Sequence, residues 1–287
     1  MSRSYSLSFL TVQEASPVEA VEIAAACGYD FVGLRILPAA ASGEAAYPLL
    51  HDANLLREVQ AALRDTGVKV ADVEIVRLKD SYRRADFQPF VERAAALGAA
   101  HVLVAGDDTD AARLQDSYTD FCHLAAEYGL SADLEFMPWT AVKNLRQARA
   151  MVEQSGAANA GVLIDSLHFA RSDSSLAEVA DLPSDLIHYI QLCDAYAQYD
   201  DSDEGLIAVA RGARLLPGSG ELDLLSLAQL VDASKPIGLE IPNAELVQHF
   251  SPKHRAQMTI HHAQKLLTTA ITRGERWQPY TQHVPPK

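Results

Sequence analysis

The run Gly67–Phe136, GVKVADVEIVRLKDSYRRADFQPFVERAAALGAAHVLVAGDDTDAARLQDSYTDFCHLAAEYGLSADLEF, decides the architecture. A β-branched segment (68–77) leads to a helical stretch (87–97) closed by Gly98. A second segment (101–105) leads to a helical stretch (111–128) closed by Gly129, and a third opens at Ala132. Glycine accepts the left-handed conformation that ends a helix ahead of an αβ loop, so each of these glycines reads as a helix stop followed by a strand start. The same beat falls at Gly28 and Gly67. The unit is βα, and it repeats.

Working outward, further strand candidates lie at 5–10, 31–37, 132–137, 161–165, 186–192 and 237–241, which with the two above makes eight. Helical patterns separate them. The first is marked by Ser16 as cap, Pro17 at the first helical position and Glu19 completing a capping box. Others are expected at 52–66, 145–154, 224–232 and 253–272. Eight alternating units close most simply as a (β/α)8 TIM barrel, one domain over residues 1–273. Residues 274–287, with Trp277, Tyr280 and three prolines, read as an irregular arm that packs on a neighbour or frays, and a homo-oligomer fits the first case. A doubly wound sheet would want G-x-G-x-x-G after the first strand, where the sequence is SFLTVQEAS; Gly218-Ser219-Gly220 has no further Gly or Lys and reads as a loop.

The chain has 287 residues, 24 Lys+Arg against 38 Asp+Glu, and a net charge of -14. A field of that sign disfavours nucleic acid and anionic lipid as partners. With no signal-peptide core and no apolar run of membrane-spanning length, a cytoplasmic protein is expected. Cys27, Cys122 and Cys193 lie far apart without C-x-x-C and read as packing residues.

In such barrels, chemistry sits at the C-terminal strand ends. There strand five carries Glu135 (LEFMPW), strand six Asp165 (VLIDSLH), strand seven Gln191 (HYIQLCD) and strand eight Glu240 (GLEIPN). An acid at a strand end often caps the next helix instead. Together, however, buried carboxylates must be paired, protonated or metal-bound, and three carboxylates with one amide suit Mg2+ or Mn2+ better than zinc. Such an ion stabilises negative charge as a proton leaves a carbon α to a carbonyl, with Glu135 and Glu240 as candidate acid and base. His168, three residues past Asp165, is a candidate for moving a proton or polarising a carbonyl. His188 has the opposite parity to Gln191 and is expected to face the helices as a structural residue. Arg35 and Glu74 have inward parity on strands two and three, and either hold substrate or form a structural ion pair. Arg211 and Arg214, with Arg171, are candidate clamps for an anionic substrate. The acidic run YDDSDEG is expected to be a solvated lid.

These four residues, with DSLH and ARLLPGSGELD (213–223), resemble the xylose isomerase-like TIM-barrel superfamily, in its sugar phosphate isomerase/epimerase branch. The resemblance implies one divalent metal ion (Mn2+ or Mg2+) held by Glu135, Asp165, Gln191 and Glu240. It also implies a glutamate pair acting on opposite faces of a small polyhydroxy carbonyl substrate, and roles for His168 and Arg214 at the site. Two departures matter. The family's seventh-strand histidine is Gln191 here, as in the bacterial 3-dehydroshikimate dehydratases of the same superfamily, and the lysine of its H-x-K-D pattern is Cys193, with Asp194 retained. MPWTAVKN also lacks the extra acid of some ketose 3-epimerases. The expected function is a metal-dependent sugar (phosphate) isomerase/epimerase. A 3-dehydroshikimate dehydratase-like lyase and a non-catalytic sugar-binding barrel are the alternatives.

Overall fold

A computed structural model describes residues 3–38 and 47–273, so the arm at 274–287 lies outside the described residues. Eight parallel strands close into a barrel in sequence order: β1 (Tyr5–Leu7), β2 (Phe31–Arg35), β3 (Lys69–Leu78), β4 (His101–Gly106), β5 (Ser131–Glu135), β6 (Ala160–Asp165), β7 (Ile190–Leu192) and β8 (Ile237–Leu239). The ring closes through β1 on β8, with Ser6 opposite Gly238. The helices are α1 (Pro17–Cys27), α2 (Ala53–Thr66), α3 (Arg84–Ala96), α4 (Ala111–Ala126), α5 (Leu145–Ser155), α6 (Ser166–Arg171), α7 (Leu176–Ala180), α8 (Asp203–Gly212), α9 (Leu224–Leu230), α10 (Ala244–His249) and α11 (Pro252–Arg273).

The expected punctuation is present. Ser16 and Glu19 form a reciprocal capping box, and Gly28, Gly67, Gly98 and Gly129 have φ of 83°, 77°, 70° and 71°, the left-handed region a β-carbon disfavours. Four short helices, α6, α7, α8 and α10, were not expected, because each is too short to display an amphipathic period. The acidic run is one of them: Ser202 caps α8, and Asp203 and Glu204 occupy its first turn, where the helix dipole favours negative charge. The run is exposed to solvent, as expected, and begins a helix. The strand expected at 186–192 begins only at Ile190; a 3-10 turn over Ser184–Leu186 and a bend at His188 precede it.

The main core lies between the sheet and the surrounding helices. A smaller cluster of Ile75, Leu103, Ala105, Met137, Leu163 and Tyr189 is separate from it and shares the strand parity of Glu135, Asp165 and Gln191, which places it in the barrel interior. No helix among the described residues is long and apolar enough to cross a membrane.

Candidate active site

Parallel pairing carries the ends of β4 to β8 around one mouth: Ala105 lies opposite Glu135, Asp165 opposite Gln191, and Glu240 N–H donates to Leu192 O. Glu135, Asp165, Gln191 and Glu240 are all buried there. Asp165 does two jobs. Its Oδ1 caps α6, accepting from Leu167 and His168 N–H at 2.8 and 3.1 Å, which aims Oδ2 inward. Arg214, itself buried, reaches Asp165 Oδ2 with Nη1 at 2.6 Å and Glu240 Oε2 with Nη2 at 3.0 Å. Gln191 Nε2 donates to Glu240 Oε1 at 3.2 Å, and His168 Nε2 lies 3.7 Å from Glu135 Oε1. Asp165, Gln191 and Glu240 are thus joined through Arg214 and one another, and Glu135 stands beside His168 at the same end of the barrel.

The electrostatics of that cluster are unbalanced. Burial, then the charges of Asp165 and Glu240, push the Glu135 carboxyl well above the usual carboxylate range. Burial pushes Glu240 up to about 8 despite Arg214. Burial acts on Asp165 in the same sense, but Arg214 and His168 overcome it and hold this carboxyl low. Desolvation pushes His168 down to about 4, so its imidazole is neutral at pH 7. Three carboxylates against one guanidinium leave a formal deficit of two positive charges. Glu135 Oε1 and Gln191 Oε1 are buried without a hydrogen-bond partner, and buried acceptors of that kind ordinarily have one. An all-oxygen donor set, a missing charge of +2 and two unsatisfied inward oxygens fit a divalent hard cation.

A cavity of about 220 Å³ opens onto this cluster, lined among others by Glu135, His168, Arg214 and Glu240. Arg35 and Glu74 form its opposite wall as an ion pair of 2.7 Å, with Arg35 stacked over Phe9 at 4.5 Å and Glu74 Oε1 left without a partner. Both expectations for this couple are thus met in part: it is an ion pair, and it faces the cavity. Arg211 sits at the rim, exposed, whereas Arg171 lies over Tyr199 at 3.9 Å and is not among the lining residues.

Trp139 and Arg77 are among the lining residues missed from the sequence. Trp139 meets His168 edge to face at 5.0 Å, held by a tight turn in which Thr140 Oγ1 lies 2.9 Å from both Met137 O and Val142 O. Arg77 lines the cavity while donating to both oxygens of Asp107. MPWT carries a turn, but nothing in it says which way the indole points. The segment 213–223 owes its shape to buried Asp194, whose two oxygens accept from the backbone N–H of Ala195, Gly218, Gly220 and Leu222 at 2.9 to 3.0 Å. A β-carbon on Gly220 would stand 2.5 Å from Ala195 O, so that glycine is needed for the approach.

Comparison with known proteins adds three findings. The family described as xylose isomerase-like TIM barrel matches residues 21–266. Two 3-dehydroshikimate dehydratases are related in sequence. That of Pseudomonas aeruginosa is 29% identical over 78% of this chain, and that of Pseudomonas putida 27% identical over the same share. The chain spans only 36% of the length of either. Among solved structures, the IolI protein with a bound zinc atom superposes with a TM-score of 0.75 at 18% identity, covering 93% of this chain and 98% of that one. A D-psicose 3-epimerase solved in the presence of D-fructose superposes with a TM-score of 0.69 at 12% identity, covering 92% and 99%. At those identities the likeness is one of fold.

Proposed function

Because the chain belongs to the xylose isomerase-like TIM barrel family, we propose that it is a divalent-metal-dependent enzyme that removes a proton α to the carbonyl of a small polyhydroxylated substrate. One observation carries this reading: Glu135, Asp165, Gln191 and Glu240 converge at the barrel mouth, short of two positive charges and with two inward oxygens unsatisfied. Mg2+ or Mn2+ bound by these four would supply Lewis-acid stabilisation of the charge that develops on the carbonyl oxygen.

The remaining work falls to the protein. Glu135, with its free Oε1 at the cavity, takes the α-proton, and the electron pair left behind passes to the carbonyl oxygen. Neutral His168, positioned by Trp139, donates a hydrogen bond without bringing a charge. Glu240 stands on another strand as the partner acid. Arg214 keeps Asp165 ionised and aims both Asp165 and Glu240, while Arg35 and Glu74 hold hydroxyls at the far wall. Return of a proton to carbon gives the isomer or epimer.

Loss of a β-hydroxyl as water gives an alkene instead. Three particulars favour this second outcome: Gln191 in place of histidine, the acid-free MPWTAVKN turn, and sequence relatives that are 3-dehydroshikimate dehydratases. The test is incubation with 3-dehydroshikimate and Mn2+ or Mg2+. The dehydratase reading predicts the ultraviolet band of protocatechuate, abolished by chelator. No band, with deuterium from D2O entering a ketose, selects isomerisation. Neither product nor exchange, with ligand still bound, would leave a sugar-binding barrel.

A further inference from the structure

At the opposite end of the barrel a second group of side chains converges. His101 opens β4, Asp133 is the inward residue two before Glu135 on β5, and His188 lies in the bend before β7. His188 does not face the helices, as its parity suggested: the bend breaks the strand period and turns its ring onto Asp133. Nδ1 of His188 lies 2.6 Å from Asp133 Oδ1, and Nδ1 of His101 lies 3.6 Å from Asp133 Oδ2. One ligand atom from each of the three residues falls within 4.8 Å of the others. We propose that this barrel floor is a second metal site, separate from the mouth, that takes Zn2+ or a similar borderline ion through His101, Asp133 and His188.

Five observations support it. Two imidazoles and one carboxylate are a donor set suited to zinc, in contrast to the all-oxygen mouth. The rings are pre-oriented: His101 and His188 stack at 5.6 Å and 7°, and His101 stacks on Tyr189 at 5.0 Å. Space is reserved for them, since a β-carbon on Gly161 would stand 2.5 Å from His188 Nδ1. Asp133 is fully buried, while the histidine side chains are 17% and 19% exposed, so the anionic ligand is anchored inside and an ion can enter from the solvent side. Ser131 Oγ, 2.7 Å from His101 Nδ1 and donating to Asp133 Oδ2, orients both first ligands.

The test is metal content rather than turnover, so its outcome is independent of the function proposed above. The untagged full chain, stripped with chelator, is dialysed against Zn2+ and counted by elemental analysis, and Co2+ is added separately to read ligand-field absorption. Asp165→Asn, which damages the mouth, is expected to retain a tightly bound zinc and an intense four-coordinate Co2+ spectrum. His101→Gln and His188→Gln are expected to lose one zinc relative to the parent, along with that spectrum. If His188→Gln does not fold, His101→Gln decides, because its ring is at the edge of the barrel. Zinc content and Co2+ absorption unchanged in the glutamine variants, or no zinc retained by Asp165→Asn, would overturn the proposal and leave the cluster as a hydrogen-bonded plug.

Discussion

The two ends of the barrel are built from the same strands yet prepared for different ions. On β5, Asp133 and Glu135 point the same way, about 7 Å apart along the strand, one into the floor and one into the mouth. At the mouth the carboxylates outnumber the available positive charge, and Arg214 is buried among them. At the floor Asp133 meets two imidazoles near solvent. A small apolar cluster shares the interior with these groups. The contrast shows that burial alone does not make a site. What separates the two ends is the balance of charge and the hardness of the donors, and variants can set one end against the other.

The largest effect is expected from Glu135→Gln, which keeps the shape and removes the base: turnover falls by about 10²–10⁴-fold in steady-state assays while zinc at the floor is retained. Turnover near the parent level would remove Glu135 from the chemistry. Next comes Arg214→Met. In chelator-treated protein it leaves Asp165 and Glu240 buried without their counter-charge and costs about 3–5 kcal/mol in denaturant unfolding, a loss that saturating Mn2+ reduces. Equal destabilisation with and without Mn2+ would separate Arg214 from the metal cluster. Gly161→Ala strikes the floor, forcing a β-carbon against Asp133 and His188. About 1–3 kcal/mol of stability and the floor zinc should be lost, with turnover at the mouth maintained. Loss of turnover with zinc intact would reverse the assignment of the two ends. Ser16→Ala, at a capping box remote from both, should cost about 1 kcal/mol and change neither metal, which calibrates the other three.

Much of this was legible in the sequence. The glycines at 28, 67, 98 and 129 announced the βα repeat because only a left-handed residue closes those helices cleanly. Glu135, Asp165, Gln191 and Glu240 could be named because strand parity and strand ends are local properties. What escaped depends on how separate segments meet. Arg214 lines the cavity as expected of a substrate-facing residue, but its place between two carboxylates depends on the turn nailed down by Asp194. Trp139 gave no sign of its direction. His188 was misjudged because the parity argument assumes a regular strand, and a bend stands in its place. Helices α6, α7, α8 and α10 hold at most ten residues each, too few for a period to emerge.

The most direct test of the account is anomalous diffraction from crystals soaked in Mn2+. It predicts a peak at the barrel mouth, about 2 to 2.5 Å from oxygens of Glu135, Asp165, Gln191 and Glu240 together. Crystals that take up Mn2+ elsewhere and show no peak among these four side chains would contradict it.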